Sequence, residues 1–287
     1  MRLHLIDGTY ELFRAHYSRG PSRTAPDGAD VKASVGVVRQ IAALLDDPDE
    51  HCTHVAAAFD NPIESFRNDL FEGYKDGSGV EEALKAQFDL VEEGVRALGV
   101  TVWSMDEHEA DDALATAAVQ FRDQVDEVRI LTADKDLGQA VGGNVIQVDS
   151  VRDRIFDEDG VLERLGVPPE AVVDHLALVG DTADGIPGVP GIGAKTSSVL
   201  LVRYGSIAAI PEDHTTWDIS VRGAARISQA LHDHAEEVEL WRELATLVTD
   251  VDLGCTLDDL EHRGPDREAL RAWAERVGSG SLGGWRE

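Results

Sequence analysis

Short apolar runs and helical repeats alternate along the first half of the chain. Residues 2–6, 54–59, 100–104, 128–132 and 145–148 are rich in Val, Ile, Leu, Ala and aromatic side chains and read as strands. Apolar positions recur at helical spacing over 10–17, 31–45, 80–98 and a stretch from Glu109, the last lying between the third and fourth strands. A glycine- and proline-bearing loop covers 18–30, and Pro48 closes the second helix. Alternation of this kind predicts an α/β sheet with parallel strands. From Gly166 the pattern changes to helices alone. Pro168-Pro169 opens a helix to Val179, a glycine–proline stretch fills 180–193, and helices follow over 194–204, 223–234 and 236–248. The Gly/Ser-rich tail at 278–284 is expected to be loose, and no internal repeat is present.

The 287 residues, 43% of them hydrophobic, suffice for one sizeable core with a smaller subdomain, or for two small domains. The apolar start, Met1 to Ile6, is too short for a secretion signal, and no run approaches the roughly 20 apolar residues that cross a bilayer. Cys52 and Cys255 are far apart and read as free buried thiols, which fits a cytoplasmic protein. Charge complicates the picture. With 55 acidic against 26 basic residues and a formal net charge of −29, the chain repels a polyanion at long range unless positive charge is local or supplied by bound cations. Only Lys32, Lys75, Lys85, Lys135 and Lys195 are lysines, and an acidic, lysine-poor surface suits high salt, where repulsion is screened.

The acids themselves are placed in a pattern. Three predicted strands run into an aspartate: Ile6 into Asp7, Phe59 into Asp60, and Leu131-Thr132-Ala133 into Asp134. In an open parallel sheet, ligands bind in the crevice beyond the carboxyl ends of the strands, so these acids converge there. Carboxylates gathered without bases raise one another's pKa, and a hard divalent cation such as Mg²⁺ relieves the repulsion. Glu109-Ala110-Asp111-Asp112 stands at a helix start, where acids also serve simply to meet the dipole. Asp111 points roughly 200° from Glu109 on an ideal helix, so all three acids reach one site only if Glu109 precedes the regular helix. Asp134-Lys135-Asp136 places two acids on one side of a strand end, although turns use such residues freely. Asp181 and Asp184 precede a run from Gly185 to Gly193 and the helix that starts at Ala194-Lys195-Thr196. Glycines let amides approach an anion and a helix N-terminus adds its dipole, which suits gripping a nucleic-acid strand by phosphate without reading bases.

Together these stretches resemble the 5′-nuclease superfamily, the flap endonucleases and the 5′→3′ exonuclease domain that precedes bacterial DNA polymerase I. The resemblance runs, in the family's order, through Leu5-Ile6-Asp7-Gly8, Phe59-Asp60, Ser65-Phe66-Arg67, Gly73-Tyr74-Lys75, Glu109 to Asp112, Leu131 to Leu137 and Gly180 to Thr196. It implies a PIN-like, Rossmann-like parallel-sheet core over 1–165, including a helical clamp at about 71–98. A helical subdomain with a helix–hairpin–helix over 166–287 would follow, the whole free-standing and monomeric. It implies a first metal held by Asp7, Asp60, Glu109 and Asp111 with Asp112 in addition, and a second held by Asp134, Asp136 and Asp181 with Asp184 nearby. Mg²⁺ is the expected ion, with Mn²⁺ as a substitute. Lys75 matches the base that reaches the scissile phosphate. Tyr74 and Arg67 flank it as DNA contacts, although Phe66-Arg67 equally fits a packing anchor. Gly188, Gly191, Gly193, Lys195 and Thr196 match the hairpin that holds DNA, with K⁺ at that element. The implied reaction is two-metal, in-line hydrolysis of DNA at 5′ ends, flaps or gaps in replication and repair, with a functional link to a DNA polymerase.

Departures from the family concern the clamp. After Tyr74-Lys75 the chain has Asp76-Gly77-Ser78-Gly79 where a further base is usual. Residues 71–98 also carry Glu72, Asp76, Glu81, Glu82, Asp89, Glu92 and Glu93 against Lys75, Lys85 and Arg96. The alternatives weighed are a metal-dependent ribonuclease of similar fold, a non-catalytic binder of DNA structures, and a phosphatase with an aspartyl nucleophile. Intact acids oppose the second, and Asp7-Gly8-Thr9 lacks the second acid of the third. The ten histidines have no ligand spacing, Trp217, Trp241 and Trp273 read as packing with Trp285 exposed, and Arg222 and Arg226 share a helical face that suits duplex phosphate.

Overall fold

A computed structural model describes residues 1–280. Its centre is a six-stranded sheet in the order β3-β2-β1-β4-β5-β6, with β1 at Arg2–Asp7, β2 at His54–Asp60, β3 at Thr101–Met105, β4 at Glu127–Leu131, β5 at Val145–Asp149 and β6 at Arg154–Phe156. The first five strands are parallel and β6 is antiparallel to β5. The sequence pattern missed β6, whose three residues are too short to show a period.

Alternation along the strands sorts side chains onto two faces. Val55, Ala57 and Phe59 face a core built with α1 (Gly8–Tyr17) and α2 (Lys32–Asp46), while Leu3, Leu5, Ala56, Ala58, Val128 and Ile130 face the other core. The helix predicted over 80–98 is broken. After α3 (Phe66–Leu70) come α4 (Glu82–Lys85) and α5 (Phe88–Ala97), separated at Gln87. Gln87 is fully buried, and its Oε1 accepts from Ser34 N on α2 at 3.0 Å, so a tertiary bond overrides helix propensity there. Leu84, Phe88, Leu90, Val91 and Val95, within the expected clamp at about 71–98, belong to the first core.

On the second face lies α6 (Ala110–Phe121), and α7 (Glu158–Leu165) follows β6. Helices α8 (Val172–Val179), α9 (Ala194–Tyr204), α10 (Ala224–Asp233) and α11 (Ala235–Ala245) enclose a third core that reaches from Tyr74 to Ala245. The far end of the expected helical unit at 166–287 packs on the first two cores. Leu247, Leu257 and Leu260 return to the α6 face, and Leu270, Trp273 and Val277 of α12 (Arg267–Arg276) and the turn after it pack on the first. Trp273 Nε1 donates to Leu90 O at 2.7 Å, and Trp217 and Trp241 are also buried. The loose tail falls outside the described residues from 281 on, as does Trp285. No helix among the described residues is long and apolar enough to cross a membrane.

One buried cation joins these parts. Arg67, 1% exposed, donates from both terminal nitrogens to Asp112 at 2.7 and 2.8 Å and bonds the carbonyls of Leu244 and Thr246 at 2.9 and 2.8 Å. Its guanidinium is buried and engaged on every side within the chain, which is the placement of a packing anchor. Removing one partner of such a pair leaves a buried charge uncompensated. Arg67→Ala is expected to lower the unfolding free energy by about 3–5 kcal/mol in urea denaturation, and a loss below about 1 kcal/mol would contradict the assignment.

Candidate active site

The acids meet at the carboxyl end of the sheet for a reason written in strand parity. Asp7 continues the side of Leu3 and Leu5, and Asp60 the side of Ala56 and Ala58, so both side chains fall on the face covered by α6. Asp7 stands beside Ala58 in the register, two residues short of Asp60. The amino end of α6 arrives at the same place: Ala110 N donates to Asp60 Oδ1 at 2.6 Å. Glu109 is the extended N-cap of that helix (φ −91°, ψ 160°), which meets the condition for Glu109 and Asp111 to share a site.

Asp134 and Asp136 do not lie on a strand end. β4 stops at Leu131, Asp134 sits in the turn beyond it, and Asp136 begins a 3₁₀ segment whose N–H bonds Asp134 Oδ1 at 2.9 Å. That turn swings Asp136 toward Asp181 and Asp184, and the three offer carboxylate oxygens within 4.8 Å of one another. Asp136 Oδ1 is buried without a hydrogen-bond partner.

Two lysines stand among these acids. Lys75 Nζ lies 3.1 Å from Glu109 Oε2 and 3.0 Å from Asp184 Oδ1, and its backbone N–H bonds Asp184 O at 3.1 Å. Lys135 pairs with Asp181 and lies 3.4 Å from Asp136 Oδ1. Burial lowers the Lys75 pKa, but Glu109 and Asp184 outweigh it, so the ammonium is held well above its ordinary value. The carboxyls shift the other way. Burial first, then Asp134 and Asp60, pushes Asp7 up to about 7; burial, then Glu109, pushes Asp60 up to about 6. Asp111 and Asp136 are raised well above the carboxylate range, by burial and then by neighbouring aspartates.

Several expected site residues have other work. Asp112 accepts from Arg67 through both oxygens and from the N–H groups of Glu109 and Val248 at 3.0 and 2.9 Å, which uses its acceptor directions and leaves none for an ion. Tyr74 is buried, and its hydroxyl donates to Glu109 Oε2 at 3.2 Å, which orients that acid. Gly188 is buried at φ +72°, where a Cβ would lie 2.4 Å from Gly180 N, so close packing against the end of α8 requires glycine. Gly191, Gly193 and Lys195 are exposed, and Thr196 is partly buried. Arg222 precedes α10 instead of sharing its face with Arg226, whose guanidinium borders Gly191.

Two positioning residues escaped the sequence reading. Thr132 Oγ1 donates to Asp7 Oδ2 at 2.7 Å and accepts from Asp134 N at 3.0 Å, and Ser65 Oγ donates to Glu109 Oε1 at 2.8 Å. Both sit inside motifs already singled out, so adjacency to an acid was the available signal.

Known proteins match the chain along nearly its whole length. Residues 2–166 match the family model of the 5′-3′ exonuclease N-terminal resolvase-like domain, and 167–268 that of the 5′-3′ exonuclease C-terminal SAM fold. A 5′-3′ exonuclease of Aquifex aeolicus is 30% identical over 98% of this chain and 93% of its own. DNA polymerase I of Pseudomonas aeruginosa is 36% identical over 94% of this chain, which spans 30% of that protein's length. T5 5′-exonuclease, solved with bound zinc, shares the fold at TM-score 0.69 and 20% identity over 96% of this chain and 98% of its own. The catalytic core of Rad2 in complex with DNA substrate does so at 0.63 and 16%, over 96% and 88%.

Raised carboxyls predict a proton signature for any cation that enters. A divalent ion takes deprotonated carboxylates, so binding at pH 6, below the Asp7 value of about 7, displaces protons, and it displaces fewer as pH rises. Calorimetric titration with Mn²⁺ in buffers of different ionisation enthalpy is expected to show this release at pH 6 and tighter binding as pH rises. Heats independent of buffer at pH 6 would contradict it.

Proposed function

The chain belongs to the 5′-3′ exonuclease family, and from that premise we propose that it is a structure-specific 5′-nuclease that hydrolyses DNA phosphodiesters at 5′ ends, flaps or gaps. The observation that carries the reading is the convergence of buried carboxylates from both halves of the chain at one mouth of the sheet. An Asp136 oxygen buried without a hydrogen bond and two lysines serving as counter-ions fit a place that divalent cations would fill.

Asp7, Asp60, Glu109 and Asp111 would hold one Mg²⁺ or Mn²⁺, and Asp134, Asp136, Asp181 and Asp184 a second. Ions held there supply an acidified water and positive charge opposite a phosphoryl group. Thr132, Ser65 and Tyr74 keep the acids oriented through the bonds described above. Lys75 remains an ammonium and is fixed through its backbone to Asp184, ready to exchange carboxylate for phosphate oxygen. Gly191, Gly193 and Lys195, at the amino end of α9, would hold the duplex by phosphate, with K⁺ at the same element. Residues 1–165, with the segments that return after Leu247, form the catalytic part, and the helices between them hold DNA. We read the protein as a monomer, and a functional link to a DNA polymerase is suggested by a relative that is itself DNA polymerase I.

Cleavage of a 5′-labelled flap duplex tests the reading. Cutting is expected with Mg²⁺ and not with EDTA, and weaker on the RNA counterpart. Asp134→Ala should lose at least about 100-fold in turnover, and Lys75→Ala about 10²–10³-fold with Mn²⁺ binding kept. Equal cutting by Asp134→Ala would overturn the site, and preference for RNA would overturn the substrate.

A further inference from the structure

Three arginines stand close together at one place on this edge of the sheet. β5 and β6 form a hairpin in which Asp149 stands opposite Arg154, and with α7 it encloses an open groove of about 530 Å³. Arg152, Arg154 and Arg164 line it, in a chain with 26 bases against 55 acids. Of its two acids, Asp149 is already engaged: it accepts from the N–H groups of Val151 and Arg152, both at 3.1 Å, and from Arg152 Nη1 at 2.8 Å. Glu163 is the other.

The groove is tied to the acidic cluster. Arg164 lies over the Phe156 ring, 4.8 Å from its centroid, and donates to the carbonyl of Ala133, the residue before Asp134, at 2.5 Å. Arg154 is exposed, and among the described residues its side chain has no hydrogen bond or ion pair. Ile155 beside it is 58% exposed. A guanidinium fork without a carboxylate, next to a site that handles phosphodiesters, is matched to a phosphate group.

We propose that this groove is a second phosphate-binding site, which grips the backbone of the DNA strand on the β5–β6 side of the acidic cluster. Arg154 and Arg164 pair with successive phosphates, and Ile155 lies against sugar. The inference deepens the nuclease reading and rests on it. Because the protein as a whole repels DNA, affinity has to come from such local contacts, and losing one removes one displaced counterion from the binding equilibrium.

The test is fluorescence anisotropy of a fluorescein-labelled 5′-flap duplex with Ca²⁺ in place of Mg²⁺, together with cleavage kinetics in Mg²⁺. Arg154→Ala is expected to weaken binding about fivefold to tenfold and to lower the slope of log K against log salt by about one, with kcat at saturating DNA unchanged. Arg263→Ala removes the same charge near the amino end of β2 and should leave affinity and slope at the wild-type values. If wild type cuts and Arg154→Ala matches it in affinity and slope, the groove proposal falls alone. If wild type neither binds nor cuts the duplex, the nuclease reading falls and takes the groove with it.

Discussion

Mutual repulsion among buried carboxylates is the constraint around which this molecule is arranged. Four aspartates at one mouth of the sheet are driven upward in pKa by burial and by neighbouring carboxylates, and the chain places Lys75 and Lys135 among the acids. Two ammonium groups do not match that many acids, so the cluster is poised to take further positive charge. The same imbalance runs through the whole chain at −29, and it makes cations necessary to any encounter with a polyanion.

Holding such a cluster together takes a rigid frame, and the frame crosses between the two halves. Arg67 ties α6, through Asp112, to the chain just after α11. Gly185 packs so closely on Gly73 that a Cβ would fall 2.0 Å from its carbonyl oxygen, and the neighbouring Lys75–Asp184 backbone bond seals the same joint. Glu109 and Asp184 therefore belong to separate halves of the chain yet share one ammonium group. A shift between the halves would separate the acids and spoil the electrostatics together.

Much of this was legible from residues alone. Asp7 and Asp60 end strands whose period two fixes their side, and Glu109 meets a helix start with an extended backbone, so the meeting of these acids follows from local pattern. Arg67, Tyr74 and Asp112 were not legible, because a base, a phenol and an acid beside a nuclease motif look the same whether they face a phosphate or one another. Arg67 and Asp112 are engaged by chain returning from residues 244–248 and Tyr74 by Glu109, partners which no local window contains. Gln87 breaks a helix for the same reason, through a partner on α2. The arginines of the β5–β6 hairpin gained meaning only once they lined one groove with Arg164 of α7.

The central claim is that side chains from residue 7 to residue 184 jointly cage a pair of divalent ions. Crystals grown with Mn²⁺ and measured at its absorption edge test it most directly. Two anomalous peaks are predicted, one among Asp7, Asp60, Glu109 and Asp111 and one among Asp134, Asp136, Asp181 and Asp184, with Lys135 turned away from Asp181. Peaks elsewhere, or none at saturating Mn²⁺ with Lys75 and Lys135 still bound to their acids, would contradict the account.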